Sequence, residues 1–201
     1  MSDLVIVPTG TANMASVLAA FRRLSSDPVV ASDIATVAGA GRLVVPGVGS
    51  FGAAMDAIDR SGLRETVAER IIEGRPTLAV CVGMQLLAAS SDESTGATGL
   101  GVVPGRVRRF GQEVRVPQMG WNMVEPDPQC RMLTPGWAYF ANSYRLDTVP
   151  DGWSAALSDH SGSFVAGLER GDVLACQFHP ELSGAWGAAL LSRWLETTGG
   201  R

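Results

Sequence analysis

The stretch Thr77-Leu78-Ala79-Val80-Cys81-Val82-Gly83-Met84-Gln85 decides the fold class. Its first four residues carry no charge and show no polar alternation, the pattern of a strand buried on both faces. Such a strand belongs in a parallel sheet covered by helices. Past Val80, a cysteine stands between small residues two before and two after it (Ala79 and Gly83), which predicts a sharp turn at Cys81 and a helix over about 82–90. Upstream, apolar runs at 4–7, 29–31 and 43–45 alternate with helical patterns, one after Asn13 to about Leu24, one over Phe51–Arg60 and one over 63–73. That alternation is the signature of strands joined by helical crossovers. Downstream, a Ser/Thr-rich loop at 90–98 leads into short β-like runs at 102–103, 107–110, 114–116, 137–141 and 173–178, and a closing helix over about 185–196. The prediction is one α/β domain spanning 1–201, with a central mostly parallel sheet flanked by helices and extra antiparallel strands.

Composition narrows what such a domain does. The chain has 201 residues, 46% of them hydrophobic, enough for one substantial core. A formal charge of −4, with neither sign gathered in a block, argues against nucleic acid as a partner. Cys81, Cys130 and Cys176 are an odd number with no CxxC pair, so neither a disulfide framework nor a metal site is expected. Residues 1–7 lack a basic leader, and the most apolar stretch, 78–89, is interrupted by Gly83 and Gln85, short of the roughly 20 residues a membrane span needs. A cytoplasmic protein without membrane contact fits this composition.

The cysteine turn admits two readings. Taken alone, Cys81 is a buried core cysteine or a nucleophile whose thiolate is favoured by the N–H groups opening the following helix. Gln177-Phe178-His179-Pro180-Glu181 supplies what a nucleophile requires. A base must take the cysteine's proton and later protonate a leaving amine, and an acceptor must fix the imidazole's tautomer. His179 and Glu181, spaced i, i+2 in an extended segment, point to one side and fill both roles. The other histidine, His160, sits in Ser158-Asp159-His160-Ser161-Gly162, which reads as an exposed turn. Gly47, Gly49 and Gly52 spell GxGxxG, yet the turn does not follow the first strand and no acidic residue ends the next one, so a dinucleotide site is disfavoured. Backbone N–H groups of Val48 and Gly49, with that of Val82, are better placed as an oxyanion hole, and the glycines permit a peptide rotation there.

These motifs resemble the class I glutamine amidotransferases and, among them, the glutaminase subunits of imidazole glycerol phosphate synthase. The likeness is carried by VPGVGSFGAAM at 45–55, CVGMQLL at 81–87, GLGVVPG at 99–105, MGWN at 119–122, YFANSY at 139–144 and QFHPELSG at 177–184. The resemblance implies that Cys81 attacks the carboxamide of L-glutamine, with His179 as proton shuttle and Glu181 as its orienter, through a glutamyl thioester and without a cofactor. It further implies that Gln85, Ser143 and Tyr144 hold the amino-acid end of the substrate, with Gly49 and Glu93 nearby. Gln85 lies one turn beyond the cysteine on the same side, where a buried structural glutamine is the other reading. The partner implied is a cyclase subunit of (β/α)8-barrel type, which forms a heterodimer with the chain and uses the ammonia in histidine biosynthesis. Met119, Trp121 and Asn122 are candidates for the docking face, although a tryptophan closing the local core fits the sequence equally well.

The family pattern is broken in four places. The N-terminal loop 7–13 keeps only Gly10 and Asn13 of the usual motif, Ala79 replaces a glycine, and Asn142 and Leu182 stand where histidine and lysine are commoner. Two alternatives remain open at this level: a glutaminase serving another synthase, and a non-catalytic binding subunit of the same fold.

Overall fold

The computed structural model describes residues 3–10 and 13–198. Thr11 and Ala12 of the atypical N-terminal loop lie outside the described residues. The chain begins β1 (Leu4–Ile6), α1 (Met14–Arg23), β2 (Val29–Val30), α2 (Ile34–Gly39), β3 (Arg42–Val45), α3 (Phe51–Arg60), α4 (Arg64–Ile72), β4 (Thr77–Val80) and α5 (Val82–Gln85). It continues through β5 (Ala88–Ser91), β6 (Val103–Arg109), β7 (Gln118–Pro126), β8 (Gly136–Asn142), β9 (Tyr144–Arg145), β10 (Ser154–Asp159), β11 (Ser163–Arg170) and β12 (Val173–Cys176). A 3-10 turn over Pro180–Leu182 then leads into α6 (Gly184–Thr197). Local chemistry starts the early helices: the side chains of Asn13, Asp33 and Ser50 accept from the backbone N–H groups of Ser16, Thr36 and Ala53.

Nine strands form one sheet in the order β2-β1-β3-β4-β12-β11-β10-β7-β8, and β5, β6 and β9 form a small second sheet. The pairs from β2 to β12 are parallel and those from β12 to β8 antiparallel. The expected α/β class holds, but the sheet is half antiparallel instead of mostly parallel. The difference lies in β7, β10 and β11, which the sequence pattern hides. β11 is buried along nearly its whole length, so it shows no alternation. β7 alternates in the reverse sense, turning Met119 and Trp121 outward while Gln118 is buried. Residues 114–116, expected as a strand, form none.

A second correction concerns the helix after Cys81, which ends at Gln85 instead of running to residue 90. The carbonyls of Leu86, Leu87 and Ala88 are taken by the N–H groups of Leu100, Val103 and Gly101, at 2.7, 2.9 and 3.3 Å. Tertiary pairing with the GLGVV segment therefore outcompetes continuation of the helix and buries all three residues. The core is closed by α6 against α1, where Trp194 meets Phe21 edge-on at 6.2 Å, and by the ring contacts of Phe140 with Phe164 and Phe178, both at 5.7 Å.

Candidate active site

Three parallel strands, β3, β4 and β12, end at the same edge of the sheet, the edge at which α/β sheets place their sites. β4 delivers Cys81 there. The strand register continues one residue past it, with the Cys81 N–H donating to the Cys176 carbonyl at 2.7 Å. Cys81 itself takes φ 54° and ψ −111°, a conformation costing about 1–3 kcal/mol for a residue with a side chain and typical of functional turns. The glycines are sterically required. A Cβ on Gly83 would collide with the Val45 carbonyl, and one on Gly47 would lie 2.8 Å from the Val82 Cβ.

The segment after β12 brings in His179 and Glu181. Instead of the extended geometry expected from i, i+2 spacing, Glu181 lies in the 3-10 turn, yet its Oε1 is 2.9 Å from His179 Nδ1. The turn is held to β8: the His179 N–H donates to the Tyr139 carbonyl at 2.9 Å, and Ser183 Oγ donates to the His179 carbonyl and accepts from the Tyr139 N–H. Burial works against a charged imidazole, but its hydrogen bonds to Cys81 and Glu181 and the electrostatic attraction of both push His179 up to about 10. Burial and nearby carboxylates push the Cys130 thiol up to about 12 and the Cys176 thiol well above its ordinary value, so neither competes as a nucleophile. His160 lies in the β10–β11 turn, as its sequence context predicts, but is half-buried there, its ring edge-on to Phe110 at 5.0 Å and its Nε2 2.9 Å from the Arg115 carbonyl.

Gly49 has φ 92°, a value that favours glycine, and it joins Val48 and Val82 at the cavity over the cysteine. The expected set of three oxyanion donors is modified here. The Val82 N–H donates to the Gly47 carbonyl at 3.2 Å and is not turned to the cavity.

That cavity, of about 200 Å³, is lined by Val48, Gly49, Cys81, Val82, Gln85, Glu93, Ala141, Asn142, Ser143, Tyr144 and His179. All five residues singled out for the substrate's amino-acid end are in it. Gln85 Nε2 donates to the Tyr144 carbonyl at 3.1 Å and to Gln177 Oε1 at 3.0 Å. Glu93 Oε2 accepts from the Phe51 N–H at 2.6 Å and Ser94 Oγ from the Gly52 N–H at 2.9 Å, so the Ser/Thr-rich loop is tied to the N-terminus of α3. Two residues enter the site without a role assigned from sequence. Asn142 donates to the Tyr144 carbonyl at 3.0 Å while its own oxygen is buried without a partner. Gln177, fully buried, reaches Cys81 Sγ from 3.7 Å. The sequence signal for Gln177 is its place two residues before His179, at the head of the QFHPELSG motif.

On the outer face of β7, Met119 and Trp121 are exposed at 67% and 54%, and Trp121 packs edge-on against Tyr139 at 6.2 Å. Leu182, which follows Glu181 in the 3-10 turn, is exposed at 43%. Asn122, on the same strand as Met119 and Trp121, donates from Nδ2 to the Asp159 carbonyl at 2.6 Å, which braces β7 against the β10–β11 turn.

Cys81, His179 and the Val48–Gly49 turn share one cavity, and residues 12–196 match the model of the class-I glutamine amidotransferase family, to which the chain belongs. Its branch within that family is that of the imidazole glycerol phosphate synthase HisH subunits. It is 41% identical over 198 residues to the subunit of Symbiobacterium thermophilum, covering 96% of this chain and 93% of that one. It is 38% identical over 196 residues to that of Methanothermobacter thermautotrophicus, covering 96% and 98%. A solved glutamine amidotransferase superposes with a TM-score of 0.77 over 98% of this chain and 100% of the other; at 23% identity that likeness speaks for the fold.

Proposed function

We propose that Cys81, His179 and Glu181 hydrolyse L-glutamine to glutamate and ammonia. The observation that carries the reading is the single cavity on which Cys81, His179 and the substrate-end residues Gln85, Glu93, Ser143 and Tyr144 all open. Cys81 Sγ attacks the carboxamide carbon, its proton held on His179. The oxyanion is received by backbone N–H groups of the Val48–Gly49 turn, joined by Val82 once the Gly47 peptide turns away. Each such donor is worth about 10²–10³ in rate. His179 protonates the departing nitrogen, the C–N bond breaks and a glutamyl thioester remains. Water then adds to the thioester, giving a proton to His179, and the C–S bond breaks to release glutamate. Glu181 holds the imidazole's tautomer throughout. The Glu93 carboxylate attracts the substrate's ammonium group, and the Ser143–Tyr144 backbone holds its carboxylate.

The ammonia serves imidazole glycerol phosphate synthesis in histidine biosynthesis, a reading supported by the relatives named as imidazole glycerol phosphate synthase subunits HisH. We assign the acceptor as a separate (β/α)8-barrel cyclase subunit, docked as a heterodimer on the exposed Met119 and Trp121 face. There it converts a phosphoribulosyl-formimino nucleotide to imidazole glycerol phosphate and an aminoimidazole carboxamide ribotide. The whole chain, 1–201, acts as one amidotransferase domain in the cytoplasm. Among the described residues no helix is long and apolar enough to cross a membrane.

The test is glutamate release by the purified chain, alone and with a cyclase subunit and its nucleotide, with Cys81→Ala as control. Release that rises with the liganded partner and disappears in Cys81→Ala supports the proposal. Release that survives in the variant overturns it.

A further inference from the structure

The sulfur of Cys81 has a second side-chain partner besides His179. Gln177 Nε2 lies 3.7 Å from Sγ, within reach of an N–H to sulfur hydrogen bond. The amide's orientation is set from a distance. The Tyr144 carbonyl can only accept, so Gln85 must turn its NH2 to it, at 3.1 Å. The second N–H of Gln85 reaches Gln177 Oε1 at 3.0 Å, which engages the oxygen end of Gln177 and turns its nitrogen end to the sulfur. Gln177, Gln85 and Cys81 are each at most 4% exposed, so water does not scramble the order. A backbone carbonyl thus fixes, through two amides, a donor aimed at the nucleophile.

We propose that Gln177 is a positioning residue for Cys81, holding the sulfur in the attacking rotamer and stabilising negative charge on it by an N–H donor. The inference rests on the reading of Cys81 as nucleophile. A donor favours charged over neutral sulfur, whereas a buried glutamine that only fills space favours neither. Other titratable or charged groups around the sulfur's cavity are His179, backed by Glu181, after β12; Glu93 after β5; Tyr144 on β9; and Cys176 at the end of β12.

Two substitutions separate positioning from packing. Gln177→Glu keeps size and the acceptor for Gln85 but replaces the donor by an oxygen, and Gln177→Met keeps shape with neither. The readouts are the rate of Cys81 alkylation by iodoacetamide at neutral pH, located by peptide mass spectrometry, together with kcat and KM for glutamate release with the cyclase partner bound, and the melting temperature. Both variants should alkylate about tenfold more slowly and lose about tenfold in kcat with KM within about twofold. A merely structural role predicts the opposite sign, faster alkylation of a loosened pocket with a lowered melting temperature, and that result, or wild-type rates in a folded variant, overturns the proposal. Cys81→Ser distinguishes the two levels: inactivation by iodoacetamide of a still-active Cys81→Ser chain would sink the nucleophile assignment itself.

Discussion

At the scale of single residues the site depends on one strained cysteine and one raised histidine. Cys81→Ser retains the shape of the turn but not the nucleophilic sulfur, and glutamate release by the partnered enzyme should fall by roughly 10⁴-fold, while Cys130→Ala stays within about twofold of wild type. The His179–Glu181 pair makes a prediction about stability. The imidazole is raised to about 10 in the folded chain, against about 6.5 when free. A raised group lends stability that is complete below the free value and disappears as pH climbs through the folded one. Urea unfolding of wild type and Glu181→Gln should therefore differ by about 1–3 kcal/mol near pH 6.5, and the gap should close by about pH 10. A gap that widens with pH would mean that the pair does not hold a proton in the folded state.

Elements are joined by polar side chains that look like surface residues in the sequence. Arg70, on α4, is 1% exposed and donates to the carbonyls of Ala40 at 2.9 Å, Pro76 at 3.1 Å and Ala38 at 3.3 Å, clamping the end of α2 to the entry of β4. Burial pushes its guanidinium down to about 10, still charged at neutral pH. Arg70→Met strands those carbonyls, and chemical denaturation should show a loss of about 2–4 kcal/mol with kcat unchanged in the folded fraction. Glu93 has a double position, joining the cavity to the first turn of α3. Glu93→Gln should raise KM for glutamine about tenfold, with a stability cost of no more than about 1 kcal/mol. A change in kcat alone would place the carboxylate in chemistry instead of binding.

At the scale of the molecule, the antiparallel half of the sheet carries the outer face on which the proposed partner docks. Trp121 is half-exposed in the isolated chain, so its removal there leaves little cavity. Trp121→Ala should weaken binding to the cyclase subunit by about 2 kcal/mol, roughly 30-fold in Kd by titration calorimetry, with the melting temperature of the free chain nearly unchanged. Equal affinity would move the interface off this face.

Sequence alone determined the strands of the parallel half, the cysteine turn, the His–Glu pair and the cavity-lining set from Gly49 to Tyr144, but not α2, because periodicity, capping and turn sterics act between near neighbours and the family motifs mark the rest. Tertiary structure alone decided four things: the truncation of α5, the strands β7, β10 and β11, the engagement of the Val82 N–H and the aim of Gln177. Each of these is a competition for hydrogen bonds between distant segments. Gln177 meets Cys81 across 96 residues and Arg70 meets Ala40 across 30, separations at which a polar side chain carries no local trace of the partner it will find.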